Sequence, residues 1–404
     1  MNFTTLWNKI ANVYNTRRYF TLILVFSILI IYMFLEMKNH RFWLHDFEVY
    51  HKAASRIITG ENLYRGDIDG FYKYKYSPAC AMFFTPLGIL PFSIAKAIYW
   101  VFLSGIICLG FYLSLRIVLP SVAVETPSRI NNFILLLAFI TAVHFERELH
   151  LGQVNQLLLV LYLALVFLWQ NSRIKLSSLL WAGSIFIKPF GLIFLPYFII
   201  KRQYRLIGWL ILWLVILGLS PVFFYGWPGL LGQYGGWIAE LTNELANKQD
   251  LMQAGNHTIF SIFARFTPLR ILEFTSTVTF FYQTFILLLL AILFILLLRK
   301  GRGIENQSAP ETAFLIGLIP LLAFTSHNAF GFLELAIVVV LVNWRELPSW
   351  GKTIGICGFA FSGGNIHDIV GKTLWNFLSD ISLVAWGALL ILAVLVILRM
   401  RRLA

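Results

Sequence analysis

The sequence predicts an all-α polytopic membrane protein, and three observations carry that prediction. Hydrophobic residues make up 59% of the 404 residues and charged residues 13%, against about a quarter charged in soluble domains, and mean hydropathy is +0.76. The apolar stretches are continuous rather than alternating, which excludes a β-barrel. The basic residues sit in short clusters between those stretches. The net charge of +13 therefore fits the charge asymmetry of membrane loops and points to lipid headgroups or phosphate rather than nucleic acid.

Taken in order, Lys9, Arg17 and Arg18 precede the first apolar run, Tyr19–Leu35, and place the N-terminus in the cytoplasm. That run has no small-residue cleavage site after it and reads as a retained anchor. It delivers a polar segment of about fifty residues to the outer side, residues 37–91, which is long for a loop between two spans. Phe92–Leu119 returns inward, Asn132–Val143 goes out, His144–Asn155 makes an outer turn, and Val154–Trp169 comes back. The pair Ser77–Leu90 and Pro91 reads as a helix lying in or dipping into the outer interface, closed by the proline.

Leu176–Ile200 carries basic residues at both ends (Arg173 and Lys175, then Lys201, Arg202 and Arg205), so both ends belong in the cytoplasm. The segment is expected to enter and return, turning at Lys188-Pro189. Each arm of about twelve residues reaches roughly 18 Å at 1.5 Å per residue, short of the roughly 30 Å hydrocarbon core. Lys188 is then inside the membrane profile. Leu206–Tyr225 crosses outward to a second long outer loop, residues 226–273, and Phe274–Leu298 returns. Thr312–Phe324 and Phe330–Val342 form another short-armed hairpin with Ser326-His327-Asn328 at its tip, and Thr353–Phe361 and Ile381–Leu398 close the chain. The pattern amounts to about twelve crossings in one integral domain, residues 1–404, both termini cytoplasmic. The two long loops, residues 37–91 and 226–273, face outward from the cell membrane. The three cysteines show neither a disulfide framework nor a metal-ligand spacing.

Candidate chemistry sits at the breaks and in the loops. Asp46 follows Phe42-Trp43-Leu44-His45 just beyond the first span; it suits either a general base, desolvated at the membrane boundary, or the N-cap of a helix over Phe47–Ile58. Lys188 suits an anion partner, because a mid-membrane ammonium costs several kcal/mol unless paired or wetted; snorkelling to the interface is its ordinary alternative. His257, within Gly255-Asn256-His257-Thr258, and His327 suit phosphate contact or proton transfer, or plain loop packing. Arg147, between Glu146 and Glu148, reads as a local pair. Gly152-Gln153-Val154-Asn155 opens a helix with polar side chains suited to a ligand. The outer-loop tyrosines, Tyr64, Tyr72, Tyr74 and Tyr76, are candidates to stack on a sugar ring, and sequence does not separate them.

The ordered set Asp46-Phe47-Glu48-Val49-Tyr50, Gly60-Glu61-Asn62-Leu63-Tyr64, Tyr76-Ser77-Pro78 and Thr85-Pro86-Leu87 resembles the opening of glycosyltransferase family 87. Gly152-Gln153-Val154-Asn155, Ile187-Lys188-Pro189 and Gly255-Asn256-His257-Thr258 with Arg265 follow in the same order, with His257 where the family usually has glutamine. These are GT-C-type enzymes similar to polyprenol-phosphate-mannose-dependent α-mannosyltransferases. The resemblance implies an outward-facing site, a lipid-linked sugar donor and a glycolipid or glycan acceptor. It also implies a catalytic base at Asp46, which shifts the weight from cap to catalyst. On that reading Lys188, His257 and Arg265 meet the donor phosphate, and Tyr50, Tyr64, Tyr76, Gln153, Asn155, Asn256 and His327 are candidate substrate contacts. A monophosphate leaving group needs only protein cations, so no cofactor or obligatory metal is expected. The rival is a secondary transporter or lipid-linked substrate translocator, which also uses broken helices; Glu334 is its one candidate acid in an apolar run.

Overall fold

The computed structural model describes residues 3–119, 125–247, 250–300, 308–324 and 326–401. Among these every regular element is helical and no strand forms. In chain order the α-helices are α1 (Phe3–Thr16), α2 (Phe20–Lys38), α3 (His45–Thr59), α4 (Gly66–Asp69), α5 (Pro78–Phe83), α6 (Thr85–Gly88), α7 (Phe92–Val118) and α8 (Pro127–Leu151). There follow α9 (Asn155–Gln170), α10 (Ile174–Ile187), α11 (Phe194–Ile200), α12 (Tyr204–Leu219), α13 (Val222–Asn247) and α14 (Ile259–Phe266). The chain ends with α15 (Ser276–Lys300), α16 (Ser308–Leu322), α17 (Glu334–Val342), α18 (Ser349–Gly363), α19 (His367–Asp380) and α20 (Leu383–Arg401).

Five of these are long and apolar enough to cross a membrane: α2, α7, α8, and the apolar stretches Ser276–Leu298 and Leu383–Met400. The pair α12 and α13 makes a sixth if counted as one span, although it bends by 93°. Five shorter apolar helices join them, over Asn155–Gln170, Ile174–Ile187, Pro189–Ile200, Ser308–Leu322 and His327–Val342. Among the described residues five or six spans are thus of full length, and both hairpins are built from shorter arms of 7 to 15 residues.

Several boundaries differ from the sequence reading. The outer turn expected over His144–Asn155 is helix as far as Leu151; the reversal is the short stretch around Gly152, whose φ is 70°. A Cβ there would come within 2.9 Å of Phe47 Cβ and 3.0 Å of Leu44 Cβ, so only glycine fits this turn against the start of α3. Ser77–Leu90 is two short helices, α5 and α6, split at Phe84. The last hairpin gains a helix, α19, between its arms.

The chain clusters into two compact units. One comprises Met1–Val25, Ser114–Phe145 and Asp250–Ala404; the other comprises Phe26–Leu113 and Glu146–Gln249. In the second unit α3 is amphipathic, burying Phe47, Tyr50, Ala53, Ala54 and Ile57 on one face. It ends at Gly60, whose φ of 72° lets its N–H return to the Arg56 and Ile57 carbonyls.

The second long loop, expected over residues 226–273, is largely helical, and the helix α13 in it has inverted polarity. Its face toward the protein holds Leu230, Gln233 and Glu240. Gln233 Oε1 accepts the Leu63 N–H at 3.1 Å, Glu240 pairs with Lys73 at 2.6 Å, and Glu244 pairs with Lys75 at 2.8 Å. Its outer face is apolar, with Phe223 88% and Leu231 71% exposed beside Trp227 and Ile238. Helix α12 exposes the same kind of surface through Ile211, Val215 and Ile216. Polar side in and apolar side out is the arrangement of a helix bordered by lipid, the reverse of one bordered by water.

Candidate active site

Asp46 is not the helix cap that its spacing allows. Helix α3 begins at His45, and the capping position is Leu44, held in the left-handed region at φ 51° with no side-chain cap. Leucine pays a steric cost there. Leu44 is completely buried beside Gly152, so packing over-determines the conformation. The Asp46 carboxylate, half-buried, instead accepts a hydrogen bond from the Gln153 amide and feels the positive charges of Lys188 and Lys75. Burial is the larger effect and raises its pKa above the ordinary 3.8.

A polar relay runs from that carboxylate to the break between α10 and α11. Gln153 Oε1 accepts from Asn155 Nδ2 at 2.7 Å, and Asn155 Oδ1 accepts from Lys188 Nζ at 2.9 Å. Every amide in the chain donates toward the carboxylate and accepts on the ammonium side, so each bond polarises the next. Glu148, fully buried, anchors the middle: its carboxylate accepts from Asn155 Nδ2 at 3.2 Å and from the Gln156 N–H at 2.8 Å. The sequence reading treated Glu148 as part of a local charge pair with Arg147; the usable signal was its distance of seven and eight residues from Asn155 and Gln156, across a glycine turn.

The helix break expected at Lys188-Pro189 is present. Helix α10 stops at Ile187, Lys188 is extended (φ −145°, ψ 135°), and Pro189–Ile193 forms a 3-10 turn before α11. The residue before a proline is driven out of the helical region, which breaks the helix at this point. The turn is fixed by the Trp181 indole donating to the Gly191 carbonyl at 2.8 Å. Lys188 Nζ lies 5.9 Å from the Tyr76 ring and 5.7 Å from the Phe190 ring. The first loop is tied to the same break by Ser77, whose hydroxyl donates to the Phe186 carbonyl at 2.6 Å.

The candidate tyrosines separate by environment. Tyr50 and Tyr74 are fully buried. The Tyr50 hydroxyl lies 2.9 Å from that of Tyr76. Tyr64 donates to the Tyr76 carbonyl at 2.7 Å and holds Tyr76 near Lys188. Tyr72 is exposed and stacks on His45.

His257, Arg265, Asn256 and His327 belong to the other unit and form their own cluster. Asn256 Oδ1 accepts from the Thr258 N–H and hydroxyl at 3.1 and 2.8 Å, and Thr258 caps α14 through the Ser261 N–H. Asn256 thus helps to build the loop before α14. Arg265 donates to the Asp380 carbonyl at 2.9 Å, the Asn256 carbonyl at 3.3 Å and Ser382 Oγ at 2.5 Å. Those bonds make it a staple between α14 and the start of α20. Ser382 Oγ lies 3.1 Å from His257 Nδ1. The His257 and His327 rings meet edge to face at 4.3 Å, with Trp375 beside His327 at 5.8 Å. Among the described residues no group of three or more histidine, cysteine or carboxylate side chains is placed to hold a metal ion.

Comparison with known proteins settles the class of chemistry. The model of glycosyltransferase family 87 matches residues 74–326. The chain belongs to glycosyltransferase family 87. No curated protein and no solved structure matches it. As a family 87 member the chain is a membrane glycosyltransferase. The match contains Gln153, Asn155, Lys188, Asn256, His257 and Arg265, begins after Asp46 and ends one residue before His327.

Proposed function

We propose that this glycosyltransferase is a GT-C-type enzyme that moves a sugar, with mannose the family default, from a polyprenyl-phosphate donor to a glycolipid or glycan acceptor. Transfer occurs on the extracytoplasmic face with inversion. One observation carries the reading: a carboxylate released from capping, desolvated, and wired through Gln153 and Asn155 to a helix-break lysine.

The acceptor hydroxyl attacks the anomeric carbon while Asp46 takes its proton. The bond between that carbon and the phosphate oxygen breaks, and its electron pair leaves with the polyprenyl phosphate. Lys188 stands at the leaving phosphate, where negative charge grows as the bond breaks, so its stabilisation is larger in the transition state than in the ground state. Gln153 aims the carboxylate, and Tyr76 walls the ammonium. Burial holds Asp46 above its ordinary pKa, which makes it a stronger base than an exposed aspartate.

The test is sugar transfer in reconstituted membranes with labelled polyprenyl-phosphate mannose, wild type beside Asp46→Asn. Transfer by the wild type with loss of at least ~100-fold in a folded, monodisperse mutant supports the assignment. Equal transfer by the two proteins removes Asp46 from the chemistry.

A further inference from the structure

Beside Asp46, on the neighbouring face of α3, lies a cleft that the transfer chemistry does not use. It is lined by His45, Glu48, Val49, Lys52, Asp69 and Tyr72 and has a volume of about 110 Å³. A single water needs only roughly 10–15 Å³, so the space suits a ring-sized ligand. His45, Glu48, Val49 and Lys52 recur at the three- and four-residue spacing of one helical face. Asp46 projects about 100° round the helix from His45, toward Gln153.

One wall is a shelf of stacked rings. Tyr72 lies over His45 with centroids 5.3 Å apart and planes 29° apart, and His45 lies over Trp43 at 5.7 Å and 27°. Tyr72 is 48% exposed and Trp43 45%. A tyrosine left this open yet held flat offers a C–H-binding face at low entropic cost, since its ring is already oriented. The opposite wall is polar and braced. Arg56 donates to both Asp69 oxygens at 2.6 Å, and Lys52 pairs with Glu48 at 2.7 Å. Each carboxylate keeps acceptor capacity for hydroxyl donors. Lys52 and Arg56 are each already matched by a carboxylate, so the cleft offers no surplus cation for the donor phosphate.

We propose that this cleft is an acceptor subsite that binds a neutral saccharide ring next to the one carrying the attacking hydroxyl. The ring packs its C–H face on Tyr72 and donates hydroxyls to Asp69 and Glu48. Because the cleft sits one helical face away from Asp46, a ring seated in it leaves the reacting hydroxyl to a neighbouring unit. The acceptor class is therefore a glycan or glycolipid with at least two sugar units. The proposal rests on Asp46 being the base, and a binding readout keeps the two apart.

Saturation-transfer NMR on the protein in lipid nanodiscs, with mannobiose, cellobiose and lactose as probes, tests it. At least one disaccharide binds the wild type, Tyr72→Phe binds comparably, and Tyr72→Ala binds at least ~10-fold more weakly. Asp46→Asn retains binding. In the transfer assay Tyr72→Ala raises the acceptor KM with kcat little changed. If Asp46→Asn still transfers sugar while Tyr72→Ala loses disaccharide binding, the base assignment fails and the cleft stands. A flat response to all three probes, or wild-type binding by Tyr72→Ala, overturns the cleft.

Discussion

Two apolar hairpins in this chain break in the same way and end in different chemistry. Both pass from an α-helix through a 3-10 turn into a short second helix: α10 to α11 at Pro189–Ile193, and α16 to α17 at His327–Leu333. At the first break a half-buried lysine is hydrogen-bonded into a relay that ends on a carboxylate. At the second, Asn328 through Leu333 are buried, α16 is buried along most of its length, and His327 packs its ring against His257 and Trp375. Glu334, one residue past that turn, is fully enclosed and accepts from Ser114 at 2.8 Å. A broken helix is thus a device for interrupting apolar packing, and the residue at the break decides whether a polar relay or the core fills the interruption.

The largest test of that contrast is the relay's acid end. Asp46→Asn should cost about 10²–10⁴ in transfer while leaving thermal stability near wild type, read by labelled-sugar transfer and by unfolding in nanodiscs. Next comes the basic end: Lys188→Met should cost about 10²–10³ in kcat, with partial recovery in Lys188→Arg. At the second break His327→Ala should cost less than about tenfold in kcat and should show mainly as a lowered melting temperature. A loss at His327 equal to that at Lys188, with stability intact, would collapse the distinction between the two breaks.

A finer test uses pH. The Asp46 carboxylate is raised by burial and lowered by the Gln153 hydrogen bond and by Lys188. On the proposed mechanism the base works deprotonated, so activity should rise with pH through that raised pKa. Gln153→Ala removes a lowering influence, and the acid limb of the kcat profile should move to higher pH. A limb that stays put separates Gln153 from the carboxylate. Because the folded form holds this proton more tightly than the unfolded chain does, ionising Asp46 costs stability as pH rises above the ordinary 3.8.

The smallest expected effect lies at Asp69, which Arg56 holds below the ordinary carboxylate pKa. Its contribution to stability is present above the unfolded value and fades as pH falls through the lowered one. Asp69→Asn should lower stability by about 1–3 kcal/mol at neutral pH, with the difference from wild type shrinking in acid.

The break at Lys188 was legible because two local rules agree there: a proline that cannot continue a helix, and basic residues at both ends of one apolar run. The start of α14 was legible for a similar reason, since Asn256 and Thr258 carry the side chains that build a turn and a cap. Leu44 was not legible. A leucine in the left-handed region contradicts its own preference, and only burial against Gly152 enforces it, so the capping role passed in the sequence reading to the aspartate two residues later. The partners of Glu148 and Arg265 were hidden for another reason. Both act on backbone or side chains brought near by tertiary packing, while their sequence neighbours suggest local pairs or a free cation. Residues 226–247 read as a loop because glycines and tryptophans mask the helix, and because its polar residues face inward.

That inverted helix gives the molecule a mechanical property. Helix α13 turns its apolar side outward like a keel, and the Lys73–Glu240 and Lys75–Glu244 pairs are the stays that tie the first loop to it. Loosening the lipid beside Trp227 and Leu231, by a harsh detergent or a thinner bilayer, slackens those stays without touching a single catalytic atom. Sugar transfer should then fall while the fold survives.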